Sequence, residues 1–126
     1  MSDAACPCGS GDAYTACCGA IHAGLPASTA EALMRSRFSA FARGDAAYLL
    51  ASWHPSTRPA ELALDADVVW RRLQIVDTVA GGADDARGVV EFRASYRAPE
   101  GAGLLHERSR FSRVDGRWVY LDGEQL

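Results

Sequence analysis

All four cysteines of this chain lie between positions 6 and 18, as Cys6-Pro7-Cys8 and the adjacent pair Cys17-Cys18, and none follows. A cluster of that kind needs a local cause. Disulfides between such near neighbours demand strained geometry, and a reducing compartment opposes them. A metal ion is the better account. Side chains two apart on an extended chain point the same way, so Cys6 and Cys8 can grip one ion while Pro7 stiffens the link. Gly9-Ser10-Gly11 then offers a turn open to positive φ, which lets backbone N–H groups face the thiolates. Adjacent cysteines diverge in a strand, so Cys17 and Cys18 reach one ion only from a turn or helix; residues 12–18 are read as a short helix or turn ending at Gly19. Four thiolates fill a tetrahedral zinc shell, whereas a catalytic zinc keeps a position open. The site is therefore read as one structural Zn2+, without which a segment burying little besides Tyr14 stays disordered. A redox or disulfide pair and reactive free thiols are the alternatives. His22 is near enough to substitute as a ligand but is read as a bystander to a full shell.

The chain of 126 residues has room for one ordinary domain plus a small metal-stapled appendage. Hydrophobic residues at 48% and charged residues at 23% match a folded soluble protein rather than a disordered tail. No apolar run approaches the roughly 20 residues of a membrane span, so no membrane association is expected. Met1-Ser2-Asp3-Ala4-Ala5 lacks the charged and apolar parts of a secretory signal, and a cytoplasmic location is expected. The net charge of -3 makes nucleic acid an unexpected partner. All thirteen basic residues are arginine, mainly a compositional bias.

Beyond Pro26 the periodicity is helical. Ser28 and Glu31 have capping-box spacing, and Leu33, Met34, Phe38, Ala40 and Phe41 recur on one face until Gly44. Asp45 can cap a second helix from Ala46 to about Ser52, closed by Pro55. Residues 56–66 read as a link. Strand signals then run from Val68 to Val79, Gly88 to Arg97, Leu104 to Val114 and Arg117 to Leu121, with turns at Gly81-Gly82, around Pro99 to Gly103, and at Asp115-Gly116. Val90, Phe92, Ala94 and Tyr96 share one face, while Glu91, Arg93, Ser95 and Arg97 share the other. Helices followed by an antiparallel meander predict an α+β fold.

The run Cys6-Pro7-Cys8-Gly9-Ser10-Gly11 with Cys17-Cys18-Gly19 resembles the SEC-C zinc motif found at the C-terminus of the SecA translocation motor. Leu33 to Phe38, Trp53-His54-Pro55 with Thr57-Arg58, Glu107 to Phe111, and Gly116-Arg117-Trp118 to Asp122-Gly123 resemble the bacterial YchJ-like family. That resemblance implies a SEC-C module, here residues 1–22, joined to a nuclear transport factor two-like (NTF2-like) conical half-barrel, here residues 27–126. The SecA motif resembles a docking site for the chaperone SecB and for ribosomes, and basic residues flank it. In this chain Asp3 and Asp12 sit near the cysteines and the first basic residue is Arg35, so the likeness implies a docking module without identifying its partner.

Several residues are candidates for a pocket. Arg37, four residues from both Leu33 and Phe41, is carried to the core edge by the first helix and should seek a carboxylate, Glu107 first and Asp122 second. An architectural ion pair and ligand recognition both fit it. His54, beside Trp53, can act as a general base if a carboxylate orients it, or simply bond backbone at a helix end. Tyr48, Tyr96, Trp118 and Tyr120 can line a pocket mouth or fill the core. The strand arginines Arg87, Arg93, Arg97, Arg108, Arg110, Arg113 and Arg117, interleaved with acids, read as a solvated outer face rather than a nucleic-acid strip.

Two functions fit this reading. The first is a zinc-binding adaptor or ligand-binding protein, with the module docking a protein partner and the half-barrel holding a partner or small ligand. The second is an enzyme using the half-barrel pocket with His54 as acid/base. An oligomer formed through the outer sheet face is compatible with either.

Overall fold

The computed structural model describes residues 4–126. Two short backbone exchanges organise the N-terminus: Ala5 and Ala13 form an antiparallel bridge, and the Cys6 N–H donates to the Asp12 carbonyl at 2.9 Å. The chain between them doubles back through Gly9 and Gly11, both at positive φ. A 3-10 turn, Tyr14–Ala16, leads into helix α1, Cys18–His22. Thus Cys18 begins a helix, where the sequence placed a helical end at Gly19.

Helix α2, Ala30–Arg43, starts one residue later than the capping-box spacing indicated. Thr29, not Ser28, is the N-cap, and its side chain accepts from the Ala32 N–H. Gly44 closes the helix in the left-handed conformation, which a glycine adopts without Cβ strain. Asp45 caps helix α3, Ala46–Ala51, by accepting from the Tyr48 N–H.

Four strands follow: β1 Val69–Ala80, β2 Arg87–Ala98, β3 Gly101–Val114 and β4 Arg117–Gln125. They form one antiparallel meander in the order β1-β2-β3-β4. The β2–β3 turn is tighter than the sequence indicated, and β4 runs on past Leu121. Register shifts at Trp70/Arg72 and Ile75/Asp77 in β1, and beside Arg110/Phe111 in the β3–β4 pairing, bend the ladder. The concave face of the curved sheet carries Val90, Phe92, Ala94 and Phe111, and α2 lays Leu33, Met34 and Phe38 against it.

Beyond α3 the chain pairs with β4. Trp53 bridges Tyr120, with His54 N–H to Tyr120 carbonyl at 2.7 Å and Tyr120 N–H to Ser52 carbonyl at 2.9 Å. This seam closes one side of the half-barrel and fixes Ser52 and Trp53 over its interior. Among the described residues no helix is long and apolar enough to cross a membrane.

Candidate metal centre and half-barrel cavity

The hairpin through Gly9 and the start of α1 bring the thiols of Cys6, Cys8, Cys17 and Cys18 together, every Sγ within 4.8 Å of the others. The Cys8 and Cys17 sulfurs are 3.7 Å apart. A tetrahedral shell with zinc–sulfur bonds of about 2.3 Å has sulfur–sulfur edges of roughly 3.8 Å, so this donor set has the size and softness of a metal site. Cys6, Cys8 and Cys18 are buried and Cys17 is half-buried.

Neighbouring polar groups serve the sulfurs. Ser10 Oγ lies 3.2 Å from Cys17 Sγ, and Ser39 Oγ of α2 lies 3.5 Å from Cys6 Sγ. Hydroxyl donors of this kind stabilise thiolate ligands. Arg35 donates to the Cys8 carbonyl at 2.9 Å while also pairing with Glu31. Arg43 stacks over the Tyr14 ring at 4.0 Å. The hydrogen bond from Cys18 pulls the Cys8 thiol down to about 4, against its burial. That same bond, together with burial, pushes the Cys18 thiol up, and burial pushes Cys17 up. Four sulfurs in this space favour a shared cation over four negative charges.

His22 proves to be more than a bystander, although its role is not ligation. One ring nitrogen, Nδ1, bonds Tyr14 Oη at 2.6 Å, and the other, Nε2, bonds the Ser36 carbonyl of α2 at 2.7 Å. Its ring also packs on Tyr48 at 4.4 Å, and Tyr48 Oη bonds Ser36 Oγ at 2.6 Å. Module, α2 and α3 are thereby joined through one imidazole.

On the other side of α2 lies a cavity of about 130 Å³. Arg37, Trp53 and Glu107 line it with Tyr120, Ser109 and an apolar set that includes Phe38, Phe41, Trp70 and Phe92. Tyr48, His54, Tyr96 and Asp122 do not line it. Tyr96 packs on Trp70 at 5.2 Å behind the wall.

The expected ion pairs of Arg37 are corrected by this geometry. Its Nη1 donates to the Leu49 carbonyl at 2.8 Å and to Ser52 Oγ at 2.7 Å. The guanidinium stacks over Trp53 and Tyr120, 5.1 Å and 4.6 Å from the ring centroids. Glu107 accepts instead from Ser109 Oγ, and Asp122 pairs outside the barrel with Arg110. Burial lowers the Arg37 pKa to about 10, with Tyr120, Tyr48 and Glu107 opposing the shift. Tyr120 is pushed up to about 12, chiefly by burial and then by Glu107.

His54 also departs from its expected role. Its Nδ1 accepts from the Ser56 N–H at 3.0 Å and contacts Ser56 Oγ at 2.8 Å, a helix-end arrangement outside the cavity. This arrangement does not favour the acid/base reading built on His54. On the outer sheet face, Arg108 pairs with Asp77 and Glu91, and His106 with Glu91, which matches a solvated face with cross-strand pairs.

Sequence reasoning missed Ser10, Ser39 and Ser52. Only Ser10, inside the cysteine run, carried a local signal.

The comparisons agree with this architecture. Residues 4–20 match the SEC-C motif, and residues 29–123 match the family model described as YchJ, middle NTF2-like domain. A UPF0225 protein of Streptomyces coelicolor is 59% identical over 122 residues, covering 96% of this chain and 95% of the relative. One from Corynebacterium efficiens is 52% identical, covering 97% and 94%. The solution structure of a SEC-C motif containing protein from Rhodopseudomonas palustris has a TM-score of 0.82 at 33% identity, over 96% of this chain and 98% of that one. A crystal structure of a SEC-C motif containing protein from Psychrobacter arcticus gives 0.76 at 27% identity, over 93% and 80%.

Proposed function

The chain belongs to the YchJ family, with a SEC-C motif ahead of an NTF2-like domain, and from that premise we infer that it is a zinc-stapled binding protein. The four-thiolate cluster carries the zinc reading. Cys6, Cys8, Cys17 and Cys18 would hold one Zn2+, with Ser10 and Ser39 donating to the sulfurs and no ligand position left for substrate. Bound there, the ion would supply on the order of 10 kcal/mol to the folding of the module. Such thiolates require a reducing compartment, which favours the cytoplasm.

A binding role for the half-barrel is supported by its cavity, which is mostly aromatic with a few polar groups, the composition of a small-ligand site. The SEC-C likeness supports protein docking by the module. Metal analysis of purified protein tests the first part: we expect one zinc per chain, lost in Cys8→Ser. Cobalt substitution should give the absorption of a tetrahedral all-thiolate site. Iron in place of zinc, or a metal-free protein with an ordered N-terminus, would overturn it.

A further inference from the structure

Arg37 is only 3% exposed, and a guanidinium so deeply buried is ordinarily matched by a carboxylate. Among the described residues none lies within ion-pair distance of it. Both of its hydrogen bonds leave from Nη1 and reach neutral acceptors, the Leu49 carbonyl and Ser52 Oγ. The Nε–Nη2 edge is the one Arg110 uses to grip Asp122 with two parallel bonds. In Arg37 that edge has no carboxylate.

Trp53 lines the cavity, and its Nε1–H is buried without an acceptor. The remaining walls are largely aromatic, and a volume of about 130 Å³ is close to that of an engineered apolar cavity, roughly 150 Å³, that admits benzene.

The geometry points to a small monocarboxylic acid with an apolar, ring-sized body as the ligand of this cavity. Its carboxylate lies on the Nε–Nη2 edge of Arg37. Its body packs among Phe38, Phe41, Trp70 and Phe92. Glu107 lines the same cavity with Oε2 already accepting from Ser109; its charge opposes any anion there, so Arg37 must outweigh it and a ligand with one carboxylate is favoured over one with two. This assignment rests on the ligand-binding reading above and names the chemistry of that ligand.

The test titrates full-length, metal-loaded protein with benzoate, benzamide and benzylamine. Calorimetry gives the affinities, and the indole N–H resonances report the site. Benzoate should bind and shift the Trp53 indole resonance, the one missing from Trp53→Phe. Benzamide, of the same shape but neutral, should bind about tenfold or more weakly. Arg37→Met should abolish the preference for benzoate over benzamide. If that variant does not fold, the comparison of acid with amide on the unaltered protein decides the matter alone. Benzamide or benzylamine binding as tightly as benzoate overturns the carboxylate assignment and leaves ligand binding standing. Failure of all three probes to move the Trp53 resonance overturns both.

Discussion

Replacing Arg37 separates architecture from ligand recognition. A structural cation costs stability when removed, because its partner is left buried and charged. Arg37 instead has neutral partners, and Ser52 Oγ keeps a bond of its own, donating to the Tyr48 carbonyl at 2.8 Å. Relief of desolvation should therefore roughly offset the lost hydrogen bonds. We expect Arg37→Met to stay within about 1 kcal/mol of the parent in denaturant unfolding. A loss of about 3 kcal/mol or more would mark the residue as architectural. The burial of Arg37 was legible from its spacing to Leu33 and Phe41. Its partners were not: the Leu49 carbonyl leaves no mark in side-chain sequence, and no spacing pattern singles out Ser52. The same holds for His22, whose acceptor is the carbonyl of Ser36. By contrast, the gathering of the four cysteines was legible, since short chain separation enforces their proximity.

At the level of elements, α2 is pinned to the sheet at its N-terminus. The Ala30 N–H donates to the Gly81 carbonyl at 2.9 Å, where the β1–β2 hairpin passes under the helix. A Cβ on Gly88 would lie 2.6 Å from Gly81 Cα and 3.0 Å from Ala30 Cβ. Backbone must move to admit it, so Gly88→Ala should destabilise by about 1–3 kcal/mol, read from the thermal midpoint. Thr29→Ala removes the N-cap acceptor and should cost about 1 kcal/mol, whereas Ser28→Ala should cost almost nothing. That pair checks the one-residue difference between the sequence reading and the fold. Ser28 and Thr29 are both good caps, and what selects Thr29 is the tertiary contact at Ala30. Strand existence followed from alternation and turn residues, but the bulges that curve the sheet arise from pairing between distant strands.

For the whole molecule, the module is docked rather than tethered. Tyr14, His22, Ser36, Ser39 and Tyr48 tie it to both helices through hydrogen bonds and ring contacts. Chelating the metal should consequently lower the thermal midpoint of the sheet domain as well as unfold the module. With metal at a hundredfold excess over its dissociation constant, the expected loss is about 2.7 kcal/mol. Amide exchange should accelerate at the helix positions nearest the module, such as Ser36 and Ser39. An unchanged sheet midpoint after chelation would show the two parts to be energetically separate.

Helix α2 sets Ser39 toward Cys6 and Ser36 toward Tyr48 while Met34, Phe38 and Phe41 line the cavity. Each added or deleted residue turns the following side chains by about 100° around the helix axis. An insertion at mid-helix would therefore swing hydroxyls into the barrel and aromatics toward the sulfurs, disabling both sites together. Length variation within this lineage should accordingly collect in the link between α3 and β1, and spare the fourteen residues of α2.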